Sequence, residues 1–448
     1  MMYIHRIKFC IVLLYTLAVS SSFVTFSQTF RIQGRTVNKV TNEVIPYVHV
    51  GIKNQSIGTI SNGKGIFEII IPQNRINDTL QFSHISYKFS EFPLIGLTTG
   101  NEYKIYLEPT SYLIEEAIVG YIKDPKKILK TALSRIKHNY SKDTEFFEAY
   151  YREIVKSGNQ YFDLIEAIIK LKKTPYNEKD IYKEPVLYSR KYYNYSTPYT
   201  TNIITSLIPE YPENIRLVTA HRITDTTQNY LFDHFKIIGG PYYASEMDLV
   251  KNKISFLDKS RFYQYNFQFN EIVNQKNRKA YKLSFDQKEN IKRSLYTGEI
   301  YIDTETYAIV HIRFGLSQLG IKYAKGDDFV YENPLNISVD PVMSRYIIDY
   351  KYDNNIWRFN YSYGEVKLRM VKMDINLNTI ITFKDELIIT GPEDILESDF
   401  NDLNEFKPYD LLYKRVEKIN PRDWQNYNRI ILEKELDDWI NKKIRMDK

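Results

Sequence analysis

The chain has 448 residues, of which 43% are hydrophobic and 26% are charged. This length and composition exclude a disordered protein and leave room for about two or three domains with a sizeable core. The net charge of +6 is small for the size and is spread along the chain. Nucleic acid is therefore excluded as a partner, because its binding requires a basic cluster. The aromatic content of 15%, with 39 tyrosines, favours β-sheet.

The N-terminus predicts export. Basic residues precede the apolar run Phe9–Val19, and small polar residues follow it up to Ser27. This pattern is typical of a signal peptide over residues 1–27, whereas an uncleaved anchor is disfavoured because the run is short for a membrane span. The only cysteine, Cys10, lies inside this leader. A mature chain without cysteine has no disulfide and no thiolate chemistry, which fits a bacterial envelope, in the periplasm or at the outer membrane.

Residues 28–109 predict a small β-sandwich, because short β-branched runs alternate with turn residues. The candidate strands are Phe30–Val37, Tyr47–Ile52, Ile57–Ser61, Gly65–Ile71, Thr79–His84 and Tyr103–Leu107. The stretch Ser61–Gly65 contains two glycines and a lysine, as a phosphate loop would. It leads into strand residues and not into a helix, so we interpret it as a hairpin turn in which glycine supplies a positive φ and Phe67 then points into the core.

Several motifs in this region resemble one known family. Gly34-Arg35-Thr36-Val37, Ile45-Pro46-Tyr47-Val48-His49-Val50, Gly65-Ile66-Phe67 and Phe82-Ser83-His84 are similar to the carboxypeptidase-regulatory-like domain. The family has a transthyretin-like β-sandwich and is common in envelope proteins of Gram-negative bacteria. Ile60-Ser61 replaces the Thr-Asp that usually precedes the turn. The resemblance implies no peptidase activity, because no histidine after the leader has the Glu three residues later that a zinc carboxypeptidase requires.

After a linker at 110–123, residues 124–395 predict an α+β body. Asp124-Pro125 begins a helix as N-cap and first residue, and Ile128, Leu129 and Leu133 recur on its apolar face. A long hairpin with its turn at Lys156–Asn159 follows. Further strands are predicted at Phe262–Val273, Lys279–Asp286, Leu295–Asp303, Ala308–Gly315, Tyr346–Tyr352, Trp357–Leu368 and Thr379–Thr390.

The fold class is therefore mainly β with some α. We expect a seven-stranded type of β-sandwich, then a larger curved antiparallel sheet or half-barrel backed by the Asp124 helix. The segment Gly298–Asp303 with Tyr307–Val310 resembles the strand–turn–strand of lipoprotein-carrier-like folds. Residues 396–448 predict a C-terminal helical segment, with helix over Pro408–Arg445 and Trp424 and Trp439 as packing anchors.

Two groups of residues are candidate sites. Arg152 and Glu153 are adjacent on one arm of the hairpin and Glu166 lies on the other, so a polar cluster is expected there. It is interpreted as a structural salt bridge, or alternatively as a carboxylate pair for hydrolysis. Candidate ligand-contact aromatics are Tyr192, Tyr193, Tyr242 and Tyr243, which could instead be ordinary half-buried aromatics. No catalytic, cofactor-binding or metal-binding residues are predicted, and no cofactor.

Two functions remain open. In the first, the protein is a non-enzymatic envelope module that binds an apolar or glycan ligand, or docks an envelope protein, with a peripheral position at the outer membrane as one option. In the second, the body is an envelope hydrolase that acts on glycan or peptide through carboxylates. The first is favoured because no nucleophile, metal set or paired-acid motif stands out in the sequence.

Overall fold

The computed structural model describes most of the chain after the leader. The described residues are 29–110, 124–176, 214–225, 236–237, 239–275, 278–333, 335–391, 400, 405–406, 410, 412–416 and 426–446. The predicted signal peptide, almost all of the predicted linker, Tyr192, Tyr193 and Trp424 lie outside them. Within these ranges, no helix has both the length and the apolar character needed to cross a membrane.

The front of the chain folds as a sandwich of seven strands in two sheets. The strands are β1 Thr29–Asn38, β2 His49–Ile52, β3 Gly58–Ile60, β4 Ile66–Pro72, β5 Thr79–His84, β6 Tyr87–Pro93 and β7 Glu102–Leu107. One sheet has the order β4-β1-β7 and the other β3-β2-β5-β6. The predicted sandwich is confirmed. Two details differ: β1 and β7 pair in parallel, and β6 was not predicted because it lacks a clean buried–exposed alternation.

The glycine stretch is a turn, but the predicted hairpin is wrong. Strands β3 and β4 belong to different sheets, so the turn carries the chain from one layer of the sandwich to the other. Gly65 has φ +74°, and a Cβ there would lie 2.9 Å from the carbonyl oxygen of Thr36. The Asn62 side chain accepts hydrogen bonds from the N–H groups of Lys64 and Ile66. Turn residues reveal a chain reversal, but not which strand the returning segment joins.

The body is built on one sheet of eleven strands in which every neighbouring pair is antiparallel. Its order is β12-β13-β14-β15-β17-β18-β19-β8-β9-β10-β20. The strands are β8 Glu145–Ser157, β9 Gln160–Lys173, β10 Asn214–Thr224, β12 Tyr265–Gln275, β13 Arg278–Gln287, β14 Tyr296–Asp303, β15 Ile309–Leu316, β17 Ser338–Asp353, β18 Ile356–Lys372, β19 Leu377–Ile389 and β20 Glu405–Phe406. The short strands β11 Lys236–Ile237 and β16 Val330–Glu332 pair separately.

The large sheet has two faces with different partners. The inner face packs against helices α1 Pro125–Ser134, α2 Ile136–Asn139 and α3 Pro241–Glu246. Helix α1 begins as predicted, because the Asp124 side chain accepts a hydrogen bond from the Lys126 N–H at 2.9 Å. Ile128, Leu129 and Leu133 are buried in the same apolar cluster as the sheet, which confirms the predicted contact. A fourth helix, α4 Gln318–Tyr323, follows β15.

The outer face carries the sandwich. Ile60 of β3 is fully buried against Tyr150 and Ile388 of the large sheet. The N–H of Gly58 donates to the carbonyl of Thr390 at 3.3 Å, and His49 Nε2 lies 2.5 Å from the Asp349 carboxylate. The sandwich and the body are therefore joined by packing, a backbone hydrogen bond and a side-chain contact between His49 and Asp349.

Residues Asn428–Glu433, here called the C-terminal strap, run between the sandwich and the outer face without helical structure. The Asn428 side chain accepts from the Ile70 N–H at 2.7 Å and donates to the Ile70 carbonyl at 3.0 Å. Helix α5, Lys434–Met446, follows. Within the described part of the predicted range Pro408–Arg445, the α-helix therefore begins only at Lys434. The strap before it is not helical, because its carbonyl groups accept hydrogen bonds from the sandwich.

Candidate functional site

Arg152 and Glu166 lie directly opposite each other on β8 and β9, on the outer face of the large sheet. Two of the three residues of the predicted cluster are thus brought together, and each of these two also has another partner. Arg152 Nη2 lies 2.6 Å from the Glu386 carboxylate of β19. Glu166 accepts hydrogen bonds from the Tyr150 hydroxyl and from His221 Nε2, the latter at 3.1 Å.

The electrostatics of this outer network favour its interpretation as a structural salt bridge. Burial by itself would raise the pKa of Glu166, but the hydrogen bond and charge of His221 and the charge of Arg152 lower that pKa to about 2. The strap covers the network, since Arg152 Nη1 donates to the Ile430 carbonyl at 3.4 Å. A permanently ionised, covered carboxylate beside an arginine is suited to holding strands together and not to proton transfer.

Glu153 does not join this network, because adjacent strand residues point to opposite faces. It lies on the inner face, directly opposite Asp385 of β19. The Tyr151 hydroxyl donates to Glu153 Oε2 at 2.6 Å and accepts from the N–H of Gly240, the residue before α3, at 2.9 Å. The alternation of side chains along a strand already separates Arg152 from Glu153. The sequence alone could not identify Asp385 as the partner of Glu153, because the two residues are far apart in the chain.

Glu153 and Asp385 form a carboxyl pair on the inner face, near the ion pair of Arg222 and Asp163. Gly364 on β18 makes room for it, because a Cβ there would collide with Asp385 Oδ1. Burial raises the pKa of Asp385 to about 7, with the nearby charge of Glu153 as the next cause. Burial likewise raises the pKa of Glu153 to about 7. Both groups can therefore hold a proton near neutral pH, as two acids in one apolar site do.

A second buried polar group on the inner side was missed by the sequence analysis. Asp248 is fully buried, with Lys173 Nζ at 3.2 Å and the hydroxyls of Tyr176 and Tyr350 at 2.5 and 2.9 Å. The Tyr350 hydroxyl in turn accepts from the Val250 N–H at 3.1 Å. Asp248 lies in a segment without periodicity, so no local signal pointed to it. Its several partners indicate a rigid structural anchor.

The predicted ligand-contact tyrosines are only partly described. Tyr242 is 2% exposed and lies in the main apolar cluster, while Tyr243 is partly buried and packs against that cluster. Both lie in α3, which begins directly after Gly240, the residue whose N–H donates to the Tyr151 hydroxyl. Within the described ranges, no group of three or more His, Cys, Asp or Glu side chains is arranged to hold a metal ion.

Comparison with known proteins identifies the front domain. Residues 32–119 match the family model of the CarboxypepD_reg-like domain. The sandwich is therefore a domain of this kind, as its motifs indicated, and the match extends beyond Pro109, where the domain was predicted to end. The chain has no significant match among curated proteins.

Several solved structures are similar to this chain, but they superpose on it only loosely. One is a domain from Vibrio parahaemolyticus assigned to outer membrane lipoprotein sorting, with 10% identity and a TM-score of 0.25, covering 62% of this chain and 97% of that one. Another is a LolA superfamily protein from Nitrosomonas europaea, with 7% identity and a TM-score of 0.18, covering 62% and 97%. Superpositions this loose do not carry a function to this chain.

Proposed function

We propose that the protein is a non-enzymatic envelope protein whose large sheet binds an apolar ligand at its inner face. The observation that carries this proposal is the inner face itself. Its apolar side chains form one cluster with those of α1, α2 and α3. These covering helices have 10, 4 and 6 residues. Helices this short owe their stability to packing against the sheet, so a ligand that replaces those apolar contacts can displace them.

The carboxyl pair fits this use. An ionised acid would repel an apolar ligand, because charge is costly to hold in an apolar site. With pKa values raised to about 7, the neutral forms of Glu153 and Asp385 are substantially populated near pH 7. Neutral carboxyls can donate a hydrogen bond to the polar end of an amphiphile while the chain of the ligand lies among apolar residues.

Titration of the folded protein with an apolar fluorophore tests the proposal. Phe269, partly buried against the inner apolar cluster, supplies the test variant, and Ile380, 38% exposed and outside that cluster, supplies the control. We expect Phe269→Glu to weaken probe binding several-fold and Ile380→Glu to leave it unchanged, with both variants folded. Equal binding by both variants, or binding only after unfolding in urea, would contradict an inner-face site. Mass spectrometry of protein purified from its native envelope then identifies the ligand.

A second candidate function rests on the same pair. Residues directly opposite on antiparallel strands have Cβ atoms about 5 Å apart, and retaining glycosidases place two carboxyl groups about 5–5.5 Å apart. Glu153 and Asp385 occupy opposite positions of this kind, from which their side chains can reach such a carboxyl separation. Under this alternative, nitrophenyl glycosides are hydrolysed and Glu153→Gln abolishes the reaction. If no glycoside is hydrolysed and the apolar probe still binds, only the binding function remains supported.

The proposed location is outside the cytoplasm. It is supported by the basic, apolar and small-residue pattern of residues 1–27 and by the family of the sandwich domain. An envelope protein that docks on the sandwich is part of this proposal. N-terminal sequencing of the protein from its own cell should find a start near Gln28. An intact Met1 on material from the cytoplasmic fraction would contradict export.

A further inference from the structure

A cleft of about 250 Å³ lies between the sandwich and the outer face of the large sheet. Its sandwich side consists of residues from β2, β3, the loop between them, β5 and β6, and its body side of residues from β17, β18 and β19. The polar side chains that line it include His49, Gln81, Ser83, Glu91, Lys351 and Asn360. Both parts of the chain contribute, so the cleft exists only when the sandwich is docked.

Two glycines open this cleft. Gly51 of β2 and Gly58 of β3 are directly opposite each other, so two neighbouring side chains are missing from its wall. A Cβ on Gly51 would lie 3.2 Å from the carbonyl oxygen of Ile57 and 3.8 Å from Lys351 Nζ across the cleft. Neither glycine has a positive φ, which means that the backbone does not demand glycine at these positions. The effect of the two glycines on the cleft is therefore the space that their missing side chains leave.

The charged groups of the cleft already have partners. Lys351 Nζ donates to the carbonyl of Gln55, and His49 Nε2 is paired with Asp349. Glu91 Oε1 accepts from Gln81 Nε2 at 2.8 Å and lies 3.2 Å from Lys53 Nζ. A charged ligand would have to displace these partners and overcome their desolvation, whereas a neutral ligand can add hydrogen bonds to them.

We propose that this cleft binds one neutral sugar residue of a glycan. Side-chain amides and hydroxyls, here Gln81, Asn360 and Ser83, match the hydroxyl groups of a sugar. Phe89 adds an aromatic side chain to the lining, which can contact the C–H face of a pyranose ring. The volume lies just below the usual range of about 300–1,000 Å³ for small-molecule sites, which suits a single ring. This site is separate from the inner face and does not depend on the ligand proposed there.

Calorimetric titration of the full chain with soluble tetrasaccharides tests the proposal. Maltotetraose, cellotetraose and chitotetraose serve as neutral probes, and tetragalacturonate as an anionic one. We expect at least one neutral probe to bind and tetragalacturonate to bind at least tenfold more weakly. Asn360→Ala and Gly51→Val should each weaken the neutral probe at least tenfold without loss of the folded state. Asn441→Ala, an exposed amide on α5, is the matched control and should bind as the parent does.

Three outcomes overturn the proposal: no binding of any neutral probe, stronger binding of tetragalacturonate, or unchanged affinity in both cleft variants. If Gly51→Val does not fold, Asn360→Ala is the deciding variant. The Asn360 side chain is partly exposed, so its removal should leave the backbone fold unchanged. The apolar fluorophore is measured in the same samples. Its binding is expected to be the same in all these variants, so failure of the cleft and failure of the inner-face site give different results.

Discussion

Arg152 and Glu386 form a buried ion pair between neighbouring strands at the centre of the large sheet, with Nη2 and Oε2 2.6 Å apart and each side chain 7% exposed. Tyr361 donates to the other oxygen of Glu386 at 3.0 Å. The strap carbonyl of Ile430 accepts from the same arginine. This pair therefore links the sheet to the C-terminal strap that holds the sandwich.

Removal of the arginine should be costly. In Arg152→Ala the Glu386 carboxylate stays buried without its cation, and we expect a loss of about 3–5 kcal/mol in the free energy of unfolding, measured by urea denaturation. Arg313→Ala is the matched control, because Arg313 pairs with Glu299 but is 49% exposed. Its loss should be below about 1 kcal/mol. Equal losses in the two variants would contradict the structural role of the buried pair.

Gly65 should tolerate no side chain. Its φ of +74° strains any other residue, and a Cβ at this position would lie only 2.9 Å from the Thr36 carbonyl oxygen. We expect Gly65→Val to destabilise the protein by about 1–3 kcal/mol in the same assay. Gly63→Ala should cost less, since there a Cβ would meet only the movable end of the Glu433 side chain. Nucleotide should change the melting temperature of neither variant, and a nucleotide effect lost with Gly65 would restore the phosphate-loop interpretation.

The strap should be released by a single substitution. Asn428→Ala removes both hydrogen bonds to the Ile70 backbone, and the buried N–H of Ile70 loses the acceptor that Asn428 provides. We expect a loss of about 1–3 kcal/mol and faster hydrogen exchange at Ile70 and along the strap. Asn441→Ala on α5 is the control. Unchanged exchange in Asn428→Ala would show that the strap is held mainly by its other contacts, those of the Arg429, Ile430 and Ile431 carbonyls.

The carboxyl pair gives a pH dependence of defined sign. The pKa values of Glu153 and Asp385 are raised to about 7 in the folded protein, from ordinary values of 4.5 and 3.8. The folded state thus binds more protons than the unfolded state between about pH 4 and 7, and this part of the stability falls as pH rises through that window. Asp385→Asn should therefore melt higher than the parent at pH 8, with a smaller difference at pH 4. A lower melting point at pH 8 would contradict the raised pKa values.

Local patterns predicted much of this protein. Alternation of apolar residues indicated most strands of the large sheet, and Asp124-Pro125 indicated the start of α1, because both depend on neighbours within a few residues. Residues 214–224 were missed as a strand since their burial pattern lacks a regular alternation. The motifs around Gly34, Val48 and Phe67 identified the sandwich family, because those residues fill its core or its close contacts.

Tertiary structure alone decided which residues meet. Strand pairing separates the predicted cluster, leaving Arg152 and Glu166 on the outer face and placing Glu153 beside Asp385, more than 200 residues away in the chain. The cleft likewise needs His49 and Asn360 in contact, 311 residues apart. Sequence fixes the alternation of side chains along one strand. The partner of each strand is set by the packing energy of the whole sheet, which no local window contains.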